Sequence, residues 1–416
     1  MFINNEMPLS RAKMGWYEVN GIRYLNKYHA LENCLNDQWP DWNFNNKAYS
    51  LVPWEQEPTE DLYEIYKQRA VQLREKYDFL LLYYSGGIDS HAVLRSFVDN
   101  DIKLDGVIIS GSYSVGQESE WTCNQEQLLV ALPYLEKLKK EGKLKFPVFC
   151  LDTVKYHKFE DENWVYACGQ SLTPQVYSYN NFWQEPWIQE FLMQGSTAFI
   201  RGVDKPRIIL EDNTWYVSFL DVHIMSGTPT GRLAKNQDWD IQEYFYWTPD
   251  MPEIVQKQAH LMINWFEKNL NKEQISQLTS KEAKTFNRAT YNNYADPLVY
   301  GKYVDQIPGH ERPYFTLGKP LSANVWHKDL WFFQSRDLMK SEYNKWIAGL
   351  QMLDKKISKN HFNSKHNNED AIAKFAKEYN LDKQALDLGP ILFGTVGTWS
   401  KFYKVKNYED RRSLTE

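Results

Sequence analysis

An open α/β sheet is the fold class this chain predicts, and three observations predict it. The run Phe79–Tyr84 has strand length, is apolar at successive positions, and ends abruptly in Ser-Gly-Gly. A strand apolar on both faces suits a parallel sheet covered by helices. Two further strand-like runs, LDGVIIS (104–110) and FPVFCLDT (146–153), alternate with helical stretches. That β-α-β-α-β alternation marks the class.

Ahead of the sheet, residues 1–60 form an aromatic, Asn-rich N-terminal extension. Asn20-Gly21 marks short strands or a hairpin, Lys27–Cys34 a short helix, and the chain to Pro58 is irregular. Thr59 reads as a helix N-cap with acids behind it, and Leu62, Ile65, Tyr66, Ala70 and Leu73 recur at helical spacing. After the Ser-Gly-Gly turn, HAVLRSFVDN is a short helix. NQEQLLVALPYLEKLKKEGK is a helix kinked or restarted at Pro133. A helix starts near Pro186. STAFIRGVDKPRIILED and TWYVSFLDV read as two strands joined by a turn at Asp212-Asn213, and 253–270 is an amphipathic helix. Beyond 271 the pattern is mixed and mainly helical, with helical stretches at Asp337–Met352 and Glu369–Tyr379, a polar loop at 358–370 and the tail GTVGTWSKFYKV. The expected organisation is an extension (1–60), an α/β domain (61–270) and an accessory lid or dimerisation region (271–416); a homodimer stays open.

At 416 residues the chain exceeds one ordinary core. Its net charge of −6 offers no global basic field for nucleic acid or anionic membrane. Cys34, Cys123, Cys150 and Cys168 form no C-x-x-C pair and no zinc spacing. So few thiols point to a reducing compartment. The N-terminus lacks an apolar signal core, and no run approaches the ~18 apolar residues of a membrane span. The expected location is the cytoplasm, with no membrane partner.

The turn itself, Ser85-Gly86-Gly87-Ile88-Asp89-Ser90, carries the functional signal. Glycines let the backbone approach a ligand closely, and the N–H groups at a helix start point into one positive concavity. The hydroxyls of Ser85 and Ser90 add donors, so the pocket suits phosphate. Asp89 either orients the loop or helps hold a Mg²⁺ that bridges phosphates. Two glycines in a plain strand-to-helix turn are the bland account. The motif is neither Walker A nor G-x-G-x-x-G.

SGGIDS resembles the S-G-G-x-D-S loop of the PP-loop ATP pyrophosphatases, among them asparagine, GMP and NAD synthetases, tRNA-thiolation enzymes and sulfonucleotide reductases. The resemblance covers about residues 75–270. It implies an adenine nucleotide alpha-hydrolase-like (HUP) domain, with ATP held by its pyrophosphate on the loop. It also implies an acceptor oxygen that attacks the α-phosphorus, giving an adenylated intermediate and pyrophosphate. RAVQLREKYDF, GVDKPRI, EYFYWTPDMPEIVQKQAH and WSKFYKV further resemble segments of phage-encoded asparagine-synthetase-like or PAPS-reductase-like PP-loop proteins.

Such chemistry needs a cation at the leaving pyrophosphate. Lys205 and Arg207, in Arg201-Gly-Val-Asp-Lys205-Pro-Arg207 after the strand STAFI, are the leading candidates, with Asp204 a Mg²⁺ or ribose contact. A solvated turn is the alternative for that cluster. Ser110 and Gly111, with Ser112, end the second strand where this fold passes the adenine. Asp152 ends the third. Weaker candidates are Glu118 and Glu120, an acceptor pocket of Tyr244–Pro249 with Gln256, Gln258 and His260, and Lys401. For each of these a structural role is the blander reading.

Absences narrow the chemistry. Residue 2 is Phe2, so the N-terminal glutaminase cysteine of asparagine synthetases is missing, and no cysteine follows Cys168. Adenylation for C–N bond formation on a small metabolite or nucleotide is the expectation. A sulfurtransferase or reductase using Cys168, base modification in nucleic acid, and a non-catalytic ATP-binding partner protein are its rivals.

Overall fold

A computed structural model of the chain describes residues 13, 15–35, 37–114, 127–156, 158–167, 172, 185–202, 204–221, 242–279, 288–304, 332, 337, 339–362, 377 and 381–412. Asn20 and Gly21 take φ of +50° and +78°, the left-handed pair that a two-residue hairpin requires. The hairpin they close joins β1 (Trp16–Val19) to β2 (Ile22–Tyr24). After α1 (Lys27–Glu32), β3 (Asp41–Asn43) pairs with the other edge of β1, and α2 (Asn46–Tyr49) follows.

The helix α3 (Leu62–Lys76) begins two residues later than the sequence predicts. Asp61 is its N-cap and accepts the Tyr63 N–H at 2.8 Å, whereas the Thr59 hydroxyl donates to Glu60. A carboxylate at the positive helix end outcompetes a hydroxyl farther out. All five apolar positions of the predicted stripe are buried.

The central sheet holds β4 (Phe79–Tyr83), then α4 (Ile88–Val98), β5 (Gly106–Gly111), α5 (Leu132–Lys140), β6 (Val148–Asp152), α6 (Pro186–Gln194) and β7 (Thr197–Arg201). A π-helical turn, Gln127–Ala131, leads into α5, and Pro133 lies in the first turn of α5, as a restart there requires. Next come β8 (Arg207–Glu211), β9 (Thr214–Ser218) and β10 (Gln242–Tyr244). The helices α7 (Glu253–Asn269), α8 (Lys272–Leu278), α9 (Arg288–Val304), α10 (Lys340–Lys356) and α11 (Lys383–Leu386) precede β11 (Tyr403–Asn407).

The five strands β10-β7-β4-β5-β6 pair in that order and all run parallel. Counted along the chain, the order from the β6 edge is third, second, first, fourth, fifth. This is a Rossmann-like α/β arrangement, and the two halves diverge between β4 and β7. The strands are apolar on both faces. Leu80 and Leu82 join the main core, while Leu81 packs with Ile108, Phe199 and the Ile188 and Leu192 of α6.

One sequence expectation fails here. The stretch 196–212 is not one strand but two, in different sheets. β7 belongs to the parallel sheet, and β8 opens an antiparallel sheet ordered β11-β9-β8. The break spans 202–206, where Pro206 supplies no N–H to a ladder. The expected turn is present, with Asp212 and Asn213 at φ +46° and +58°.

The main apolar core runs from Tyr17 to Val405 and takes in Tyr291, Ala295 and Val299 of α9, so it continues across residues 60 and 270. A second core joins Tyr28 and Leu31 to Trp164 and to α10. The helical stretch 369–379 lies outside the described residues except for Lys377. No helix among the described residues is long and apolar enough to cross a membrane.

Candidate functional site

The carboxyl end of β4 delivers the chain into the loop 85–90 beside the point where the sheet halves diverge. Ligands of open α/β sheets bind in this crevice. Gly86 has φ +86°, which a side chain would strain. Gly87 is the N-cap of α4 and brings no capping side chain, so no side chain caps the first-turn amides of Ile88, Asp89 and Ser90. The loop braces itself instead. Ser85 N–H donates to Ser90 Oγ at 3.2 Å, Gly87 N–H to Ser85 Oγ at 3.1 Å, and Ser90 Oγ to the Gly87 carbonyl at 3.0 Å. Ser90 is buried and fixes the bend, whereas Ser85 is exposed. The result is an exposed hydroxyl beside a positive helix end, a place suited to an anion.

Behind the loop, Tyr246 Oη donates to the Asp89 carbonyl at 2.8 Å. Gly202 presses on the same backbone: a Cβ there would lie 3.0 Å from Asp89 C, Asp89 O and Ser90 Cα. His91, the next helical residue, is buried and meets Tyr84 Oη at 3.1 Å through Nδ1. Burial drives its pKa down to about 3, so the ring is neutral.

Asp204, Lys205 and Arg207 do lie next to the loop, but they face inward. Lys205 and Arg207 are each 1% exposed. Lys205 Nζ sits 3.0 Å from Asp204 Oδ1 and 2.5 Å from Asp296 Oδ1, and Arg207 Nη2 sits 2.8 Å from Asp204 Oδ2. The two cations expected at the phosphates therefore neutralise buried acids, because a buried charge must be paired. Both oxygens of Asp204 accept from these two cations. Among the described residues no group of three or more His, Cys, Asp or Glu is arranged to hold one. Of the two acids expected at a Mg²⁺, Asp204 is thus engaged by the protein's own cations.

Asp89 Oδ1 is shielded from solvent and has no hydrogen-bond donor on it among the described residues. Burial pushes the Asp89 and Asp296 carboxyls up, with Lys205 opposing the shift in both. Tyr300 lies against Asp89, and burial raises its hydroxyl well above the usual value. For Lys205, burial works against the charge, but Asp204, Asp296 and Asp89 outweigh it and the pKa rises. Sequence reasoning missed Asp296 and Tyr300. They lie in α9, far along the chain, and an acid before Pro297 inside a helix carries no motif.

Arg201, the first residue of the cluster, differs from Lys205 and Arg207. It ends β7 directly beside Tyr83, its guanidinium lies 4.4 Å over the Tyr83 ring, and its Nε–H donates to Gln242 Oε1 at 2.8 Å. It is only partly buried.

The remaining candidates make contacts within the protein. The Ser110 carbonyl accepts from Gln127 Nε2 at 3.0 Å and the Gly111 carbonyl from Thr153 Oγ1 at 3.1 Å, tying the end of β5 to its neighbours. Ser112 is buried against Thr153. Asp152 accepts the Val154 N–H. Tyr244 to Trp247 are core residues. Gln256 donates to the Pro53 and Gln56 carbonyls, Gln258 to Tyr66, and His260 Nε2 meets the Trp54 carbonyl at 2.9 Å. Lys401 reaches Ser50. Glu118, Glu120, Cys123 and Cys168 lie outside the described residues.

No family model, curated protein or solved structure matches the chain.

Proposed function

We propose that the loop 85–90 binds the phosphates of ATP, supplied as its magnesium complex, and that the chain adenylates an acceptor. On this reading the sheet is the adenine nucleotide alpha-hydrolase-like variant of the Rossmann-like arrangement. One observation carries the proposal: the Ser-Gly-Gly-x-Asp-Ser loop opens α4 at the carboxyl end of the first strand, beside the divergence of the sheet.

The amides of Ile88, Asp89 and Ser90 and the Ser85 hydroxyl would take the β- and γ-phosphates. Arg201, at the adjacent strand end, would be the cation that meets charge on the leaving pyrophosphate. An acceptor oxygen attacks the α-phosphorus and the α-phosphorus–bridging-oxygen bond breaks. Pyrophosphate leaves, and a nitrogen nucleophile then displaces AMP.

Product analysis of ATP turnover across candidate acceptors tests this. AMP and pyrophosphate from the wild type, lost in Ser85→Ala and Arg201→Ala, is the expected result. ADP and phosphate as products would refute α-phosphorus chemistry. A second reading, ATP binding without turnover, is favoured by the inward pairing of Lys205 and Arg207. It predicts ATP binding with no pyrophosphate for any acceptor.

A further inference from the structure

The phosphate loop has a back, and one helix holds that back in place. Gly202 abuts the Asp89–Ser90 backbone, and the chain then runs through Asp204, Lys205, Pro206 and Arg207 into β8. The helix α9 grips this segment along its length. Tyr291 Oη donates to the Pro206 carbonyl at 3.1 Å and accepts the Ile208 N–H at 3.4 Å, while the Arg207 guanidinium lies 5.4 Å over its ring. Asp296 takes Lys205 at 2.5 Å, and the Lys205 ammonium lies 5.6 Å over the Tyr300 ring. Tyr300 in turn lies against the Asp89 carboxyl. The helix also packs directly on α4, whose first turn is the loop.

Tyr291 and Tyr300 are fully buried, so neither touches a ligand on the loop. Their action passes through segment 202–208 and Asp89. We propose that Tyr291, Asp296 and Tyr300 are positioning residues through which α9 sets the loop, so that nucleotide occupancy and the seating of α9 are coupled. The inference rests on the nucleotide reading of the loop. Coupling between two sites is reciprocal: whatever α9 adds to nucleotide affinity, the nucleotide adds to the seating of α9. A loop already held in its binding geometry loses less entropy on binding, so loosening α9 weakens affinity.

The test is amide hydrogen exchange on the full chain with and without MgATP, beside ATP affinity and KM. Saturating MgATP is expected to slow exchange across 291–301 in the wild type, with α10 as an unaffected reference. Asp296→Asn, near-isosteric and leaving Lys205 its Asp204 partner, is expected to weaken ATP binding about tenfold and to abolish that protection. It should raise KM and leave kcat nearly unchanged, and Asp296→Glu should recover part of the affinity. Tyr300→Phe, which keeps the ring under Lys205, checks the outcome in a second variant and should weaken ATP binding less than Asp296→Asn. Wild-type protein that binds ATP with unchanged exchange in α9 overturns the inference, as does Asp296→Asn binding ATP as tightly as the wild type. No ATP binding by the wild type overturns the nucleotide reading itself, and the inference falls with it.

Discussion

Two buried charge clusters in this chain are built to opposite balances. Around Glu243 of β10, two acids meet three cations: Glu243 lies 3.0 Å from Arg69, 2.8 Å from Lys76 and 3.7 Å from Lys13, with Tyr77 Oη donating to it at 2.6 Å, and Asp250 takes Lys13 at 2.7 Å and Lys76 at 3.5 Å. Burial alone would push Glu243 up, but Arg69, Lys13 and Lys76 outweigh it and hold its pKa at about 2. This cluster fastens α3 to the sheet edge. Beneath the loop, three acids (Asp89, Asp204 and Asp296) share two cations, Lys205 and Arg207, and burial pushes Asp89 and Asp296 up. An acid outnumbered by cations stays ionised and acts as a fastener. Charge left unbalanced in a crevice is the arrangement functional sites favour.

Breaking the first cluster should produce the largest effect. Glu243→Gln strands Arg69, which is fully buried, and should cost about 3–5 kcal/mol in urea unfolding. The pH dependence sharpens the contrast, because the two clusters have opposite signs. Glu243 has a folded pKa below its unfolded one. Its contribution is present above the ordinary glutamate range and is lost as pH falls toward about 2. Asp89 and Asp296 have raised pKa values, so their contribution is largest at low pH and is lost as pH rises above the ordinary aspartate value of about 3.9. A stability-against-pH series on the wild type, Glu243→Gln and Asp296→Asn should show the acid-side loss vanish in the first variant and the higher-pH loss shrink in the second.

Gly202→Ala comes next. Its Cβ would meet backbone rather than a flexible side chain, so the loop must move, at a cost of about 1–3 kcal/mol. ATP affinity should fall with it, and a variant as stable and as tight-binding as the wild type would show that Gly202 does not support the loop. The smallest stability effect belongs to Ser85→Ala. It removes a hydroxyl that accepts the Gly87 N–H and meets Ser90 Oγ on an exposed turn, so stability in thermal unfolding should fall by about 1 kcal/mol while AMP formation is lost. A larger loss of stability would make Ser85 a structural brace like Ser90.

Features that depend on adjacent residues were legible. Phe79–Tyr84 needed a strand apolar on both faces, and Asn20-Gly21 and Asp212-Asn213 each set a left-handed turn locally. The bend at 85–90 followed from its glycines, and the restart at Pro133 from a missing N–H. The start of α3 was misplaced by two residues because Thr59 and Asp61 both offer a cap, and only the entry path of the chain chooses between them. The split of 196–212 was hidden because both halves have strand composition, and sheet membership is a long-range property.

By itself, then, the sequence determined the α/β class, the parallel strands and the glycine-opened turn at 85–90, since each rests on periodicity and backbone chemistry within a few residues. The tertiary structure alone decided the strand order that places the loop at the divergence of the sheet. It also decided the inward pairing of Lys205 and Arg207 and the arrival of Asp296 and Tyr300 from α9. A side chain's charge is written in the sequence, but whether that charge meets solvent or a buried partner depends on chain folded in from far away.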